Sequence, residues 1–262
     1  MSAGAGGGQR GGQGAGAGRG AGAGGGGAGP PGERLTIALA KGRLLGEAVA
    51  LLRRAGLRVG DLADPGRRLL VELPPQRIGG DRPGDGSGRG GGGAADGEVA
   101  LRALILKPDD VPTYVERGAA DCGVCGTDVL REHPRELYEP LDLGIGRCRL
   151  VLAARAGAAP VVGTMRIATK FVALARGWAE ARGLAAEIIP LAGSVELAPA
   201  AGLADRIVDL VQSGETLRAN GLVELETLAE VTARLVVNRA ALKLKRAAFD
   251  ALLSALRAEV AR

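Results

Sequence analysis

The chain has 262 residues, a net charge of +5, three cysteines and only 2% aromatic residues. An odd and small cysteine count argues against a disulfide framework, and so few aromatics leave little to stack on nucleic-acid bases. No apolar run approaches the roughly 18 residues of a membrane span, and no apolar segment near the N-terminus reads as a secretory signal, so a cytoplasmic protein that binds neither membrane nor nucleic acid is expected.

Residues 1–32 are nearly all Gly and Ala, and residues 76–98 form a second Gly-rich stretch. Segments without apolar side chains cannot offset the entropy of ordering, so both are predicted to be flexible. Roughly 200 residues remain, enough for two small lobes with their own cores. Leu35 to Ala40 reads as a strand ending at Lys41-Gly-Arg43, and Leu44 to Ala55 carries helical periodicity. Leu69–Leu73 and Val99–Leu106 are predicted strands, Asp109 to Arg117 a short helix with Pro112 in its first turn, and Asp121 to Gly126 a strand. A helix begins at Val129, and Leu141 to Ala154 reads as an extended crossing into a second lobe.

That lobe is predicted to hold strands at Arg166–Lys170, Ala186–Pro190 and Ile207–Val211, with helices at Val172–Arg182 and Val195–Ala204. Residues 222–238 read as strands returning to the first lobe, and Leu244 to Val260 as an amphipathic helix. Strands alternating with helices imply largely parallel sheets, with ligands at the strands' C-terminal ends.

The segment from Glu196 to Leu217 carries the most chemistry. Asp209 interrupts an apolar run, and Ser213-Gly214-Glu215-Thr216 then makes a turn that opens a helix. Free backbone N–H groups and the positive end of a helix dipole suit an anion there. On the turn alone an ordinary strand–turn–helix with Ser213 or Thr216 as N-cap is the favoured reading, because so short a pattern is common. Cys122-Gly-Val-Cys125, with Cys148 and His133, has the makings of a zinc set. Positions 122 and 125 of a strand face opposite sides, however, so packing is the expected role and no metal site is assigned.

The wider string resembles the ATP phosphoribosyltransferase family. The resemblance lies in Glu196, Gly202-Leu-Ala-Asp205, Asp209-Leu210 and Ser213-Gly-Glu-Thr-Leu217. It continues in Leu35 to Leu44, Asp110 to Asp121, Gly126-Thr-Asp-Val-Leu130, Arg166 to Lys170 and Asn220 to Glu224. Ala40 and Lys107 depart from the family's usual Pro and Arg, which would turn a bidentate phosphate contact at 107 into a point charge.

The resemblance implies an α/β, two-lobed fold like the type II periplasmic binding proteins, with a cleft between lobes and a double crossover. Lobe I would be 33–144 plus 224–262, and lobe II 145–223 with the phosphoribosyl loop. The implied reaction transfers phosphoribosyl from phosphoribosyl pyrophosphate (PRPP) to N1 of ATP, releasing pyrophosphate, with Mg²⁺ as cofactor; it is the first step of histidine biosynthesis. A non-catalytic two-lobed protein binding an anionic ligand is the alternative. Lys41, Arg43 and Asp209 are the expected catalytic set. Asp209, Gln212, Ser213, Gly214, Glu215 and Thr216 would form the PRPP loop, with Lys107, Asp121, Arg149, Lys170 and Glu196 as further substrate contacts. The length matches the family's short form, which works in a hetero-oligomer with a regulatory subunit resembling histidyl-tRNA synthetase.

Overall fold

The computed structural model describes residues 34–78 and 98–262. The tail 1–32 and all of the expected flexible stretch except Gln76, Arg77, Ile78 and Glu98 lie outside these residues. Two sheets carry the fold. The first has the strand order β2 (Leu70–Arg77), β3 (Glu98–Leu106), β1 (Arg34–Ala40), β4 (Cys122–Gly126), β11 (Ala233–Val237) and β5 (Tyr138–Asp142). β1 runs parallel to both β3 and β4, so the C-terminal ends of all three point the same way. The second sheet has the order β10 (Leu222–Val231), β6 (Cys148–Arg155), β9 (Arg206–Val211), β7 (Met165–Thr169) and β8 (Ala186–Pro190).

Alternation along β1 divides the first lobe's core. Leu35, Ile37 and Leu39 face α1 (Arg43–Arg54) and α7 (Arg246–Val260), while Ala38 and Ala40 face α2 (Val111–Glu116). The small residues let α2 sit close: a Cβ on Gly123 would lie 2.8 Å from Val111. α1 buries Leu45, Ala48, Val49, Leu51 and Leu52, one stripe of a 3.6-residue repeat, and Gly56 at φ +89° follows its end. Phe249 of α7 is fully buried, so its truncation to Ala would cost about 3–5 kcal/mol. In the second lobe α4 (Val172–Ala181) covers one face of the sheet, and α5 (Glu215–Ala219) with the 195–204 segment covers the other.

The chain crosses between sheets twice, after β5 and after β10. Both crossings are tied together at Thr232, which donates its hydroxyl to Asp142 (3.0 Å) and accepts the Thr127 N–H at its carbonyl (2.9 Å). The return therefore falls at Thr232 and not at 224: β10 stays in the second sheet, antiparallel to β6. Val195–Ala204 is also not a helix. Only a single 3-10 turn forms at Val195–Leu197, because Pro199 has no N–H to continue it and Gly202 turns left-handed at φ +71°. The C-terminal helix is broken at Lys245, separating α6 (Arg239–Leu244) from α7. Cys122 and Cys125 do face opposite cores, and all three cysteines are free and buried. Burial pushes each thiol pKa up, so none is poised as a thiolate.

Candidate active site

Between the sheets lies a cleft of about 190 Å³. One wall follows β1, where Gly42 (φ +92°) turns the chain into α1 and leaves Lys41 and Arg43 at the rim. The Lys41 N–H donates to the Leu106 carbonyl (2.7 Å), holding the ends of β1 and β3 side by side. Arg43 pairs with Glu47 (3.2 Å), whose other oxygen accepts the Gly146 N–H (2.7 Å). The rim is thus anchored to the first crossing.

The turn from β4 into α3 (Thr127–Glu132) supplies Gly126 and Asp128. A Cβ at Gly126 would stand 2.0 Å from the Asp128 carboxylate, so only glycine leaves room for that acid. Burial raises the Asp128 pKa; the Val129 N–H and the charge of Lys170 oppose the rise.

The opposite wall carries Lys170, Leu210 and Cys148. Asp209 precedes Leu210 on β9 and, by strand alternation, lies on the other face of the sheet with Ile207 and Val211; its carboxylate accepts the Leu210 N–H (2.8 Å). Burial raises its pKa first and the nearby Glu196 raises it further, while the Leu210 N–H and Lys170 pull it down. Glu196 stands two residues after Ser194, the one non-glycine residue at positive φ (+51°) among the described residues. Lys170 acts on Asp128 from one lobe and Asp209 from the other, yet among the described residues no carboxylate reaches ion-pair distance of it. Its ammonium lies 4.6 Å from the Phe171 ring centre.

Beyond Asp209 the chain makes the anticipated turn. Gly214 is left-handed at φ +73° and starts α5; a Cβ there would meet Arg218 at 2.9 Å and Glu224 at 3.2 Å. The Ser213 hydroxyl accepts the Glu215 N–H (3.4 Å), and Arg218 donates to the Ser213 carbonyl (3.0 Å). Gln212, Ser213, Glu215 and Thr216 are exposed. The Glu215 acid in the first helical turn is favourable to the helix dipole.

The structure thus gathers Lys41, Arg43 and Lys170 at one cleft, with Asp209 and Glu196 on the second lobe and the Ser213–Thr216 turn following Asp209. Lys107 is exposed next to cleft-lining Pro108. Arg149 stands by the turn but is held bidentately by Glu224 (2.7 and 3.2 Å), so its charge is already partnered. Asp121 is a correction. It precedes β4 at the N-terminal end, opposite the cleft, and its carboxylate accepts the Thr36 N–H (2.7 Å) and the Lys245 ammonium (2.8 and 2.7 Å). A buried acid so fully satisfied is structural. Sequence reasoning did not single out Asp128 or Arg218. Asp128 had a signal in the Gly126-Thr-Asp block; Arg218 had none, since its role depends on the fold of the turn.

The sequence model of the family described as ATP phosphoribosyltransferase (HisG) matches residues 107–258. A protein named ATP phosphoribosyltransferase from Anaeromyxobacter sp. (strain K) is 48% identical over 231 residues, covering 87% of this chain and 95% of its own length. Another of that name, from Geobacter metallireducens, is 44% identical over 216 residues, covering 80% and 91%. Among solved structures, the ATP phosphoribosyl transferase (HisG:HisZ) complex from Thermotoga maritima matches with TM-score 0.66 and 34% identity, over 86% of this chain and 98% of that one. The periplasmic aliphatic sulphonate binding protein SsuA from Escherichia coli matches with TM-score 0.53 at 12% identity, over 87% and 73%. That second likeness is one of fold alone and bears out the type II periplasmic-binding-protein architecture; the named relatives do not favour a non-catalytic binding protein.

Proposed function

The chain belongs to the ATP phosphoribosyltransferase family, and we propose on that footing how its cleft divides the work of moving phosphoribosyl from PRPP to N1 of ATP. The reaction breaks the bond between C1′ and pyrophosphate and forms one between C1′ and N1. Positive charge develops on the ribose ring and negative charge on the departing pyrophosphate. Such chemistry asks a protein for positioning and fixed charge more than for covalent help.

The Ser213–Thr216 turn holds the 5′-phosphate, using the N-terminal amides of α5. Asp209 and Glu196 accept hydrogen bonds from the ribose hydroxyls. Lys41, Arg43 and Lys170 offset the phosphates of ATP and the leaving pyrophosphate, with Lys107 outside the rim. The observation that carries this reading is that Lys41, Arg43 and Lys170 line one cleft together with Leu210 of β9, the strand that carries Asp209 and runs into the Ser213–Thr216 turn. Polyanion binders and hydroxyl acceptors then face one another over the bond that breaks.

Mg²⁺ fits this donor set as a partner of the substrate. Among the described residues no cluster of three or more His, Cys, Asp or Glu forms a cage. Asp209 and Glu196 offer hard oxygens of the kind Mg²⁺ accepts through water. When bound with phosphate oxygens, the ion neutralises charge on the leaving group.

As in the complex from Thermotoga maritima, the chain is proposed to work in a hetero-oligomer, its partner a regulatory subunit resembling histidyl-tRNA synthetase, and to do so in the cytoplasm. No helix among the described residues is long and apolar enough to cross a membrane. The test is pyrophosphate release from ATP and PRPP by the full chain with and without that partner, at several Mg²⁺ concentrations. Turnover that needs Mg²⁺ and rises with the partner is expected. Absence of turnover in every condition would overturn the reading.

A further inference from the structure

One buried carboxylate outside the cleft joins the two lobes. Glu132 ends α3 in the first lobe and is 8% exposed. One of its oxygens accepts the Ala173 N–H (2.8 Å) and the other the Leu174 N–H (3.0 Å). Both amides belong to the first turn of α4, in the second lobe. The residue preceding α4, Phe171, has no side chain able to cap, so the helix takes its cap from across the lobe boundary.

The chain positions at either end of this contact are informative. α4 starts two residues after Lys170, and α3 carries Asp128 in its own first turn. On its other side, Lys170 follows Thr169, whose buried hydroxyl accepts the Phe171 N–H (2.9 Å) and donates to the Val208 carbonyl (2.6 Å). The Lys170 backbone is therefore pinned by Thr169 to β9 of its own lobe and by Glu132 to the opposite lobe. Separation of the lobes would break two charge-assisted hydrogen bonds and leave the α4 amides uncapped.

We propose that Glu132 is a positioning residue: its carboxylate caps α4 across the lobe boundary, favours the closed cleft, and holds Lys170 opposite Asp128. It acts through Lys170 and does not touch substrate. The proposal rests on the reading of Lys170 as a phosphate contact, because only then does its placement affect turnover.

The experiment is a double-mutant cycle on the full chain with its regulatory partner, using Glu132→Ala, Lys170→Ala and the pair. Glu132→Ala is expected to lower kcat/KM by about ten- to a hundredfold, the scale of a misplaced catalytic contact. In the Lys170→Ala background the same change should cost less than threefold, since coupled residues are not additive. Glu132→Gln, which keeps one acceptor oxygen, should recover part of the loss. Independently of activity, the Ala173 and Leu174 amides should exchange with solvent at least tenfold faster in Glu132→Ala than in wild type. Full additivity, or a Glu132→Ala variant that melts earlier but turns over normally per folded molecule, overturns the proposal. So does unchanged amide exchange. Should wild type prove inactive, the functional reading fails, while amide exchange still decides whether the cap holds the lobes together.

Discussion

The two ends of the first sheet use the same side-chain chemistry for opposite purposes. At the N-terminal end, Lys245 meets Asp121, and every bonding need is filled: the ammonium reaches both carboxylate oxygens and the Arg34 carbonyl, and Asp121 also takes the Thr36 N–H. At the C-terminal end lies the cleft, where Lys170 of the second lobe influences Asp128 of the first and Asp209 of its own without pairing with either. Desolvation of a charge is tolerable when hydrogen bonds offset it, and costly when they do not. A closed set of partners marks structure. An open set, in a cleft and with raised carboxylate pKa values, marks a place kept ready for a ligand.

The largest expected effect sharpens that contrast. Asp209→Ala should lower kcat/KM for PRPP by about a hundred- to a thousandfold, the scale of losing one preorganised polar contact to the reacting group, with no loss of thermal stability. Loss of stability with normal turnover of the folded fraction would place Asp209 with Asp121. At the other end, Asp121→Asn should cost about 3 kcal/mol of stability, because it weakens a buried pair on one side only. Denaturant titration measures this, and KM for both substrates should stay put. A raised KM would show that the far end is coupled to the cleft after all.

Gly214→Ala is a smaller test. At φ +73° and with Arg218 and Glu224 crowding the position, alanine should strain the turn by about 1–2 kcal/mol. PRPP affinity, read by calorimetry, should fall about tenfold. Unchanged affinity would remove the turn from the phosphate site.

The pH dependence of stability is the subtlest consequence. A carboxylate whose folded pKa is raised costs stability wherever it is ionised. That cost is full above the raised value, shrinks as pH falls through it, and is gone below the ordinary value of about 3.9. Asp209→Asn should therefore be more stable than wild type at neutral pH, and the gap should close on acidification. Because the carboxylate is the form that accepts from ribose, PRPP binding by wild type should weaken over the same window. A gap that widens toward acid would mean that Asp209 is already satisfied in the free protein.

Much of the fold could be read from the sequence because single residues carried the signal. Alternation of Leu35, Ile37 and Leu39 with Ala38 and Ala40 marked β1, and the 3.6-residue stripe marked α1. The facing of Cys122 and Cys125 followed from the period of a strand alone. The 195–204 segment misled because apolar periodicity there outvoted Pro199 and Gly202, whose backbone demands decide the outcome. The return crossing was misplaced because β10 alternates like any strand, and nothing local says which sheet it joins.

In the cleft, Lys41, Arg43 and Lys170 sit at or just past the C-terminal ends of predicted strands, so strand polarity sufficed to place them. Asp121 was misread although the same rule applied, since it stands at a strand's beginning. Asp128 and Glu132 could not be graded from sequence. Their importance arises from what the opposite lobe brings to them, which is tertiary information.

The most direct test sets one lysine against the other. Lys170→Ala and Lys245→Met should be compared for pyrophosphate release per folded molecule and for melting temperature, well below the midpoint of either. Lys170→Ala should lose at least tenfold in turnover and melt like wild type, whereas Lys245→Met should melt earlier and turn over normally. Equal losses of turnover in both variants, or the reverse pattern, would contradict the assignment of the cleft to catalysis and the far end of the first sheet to stability.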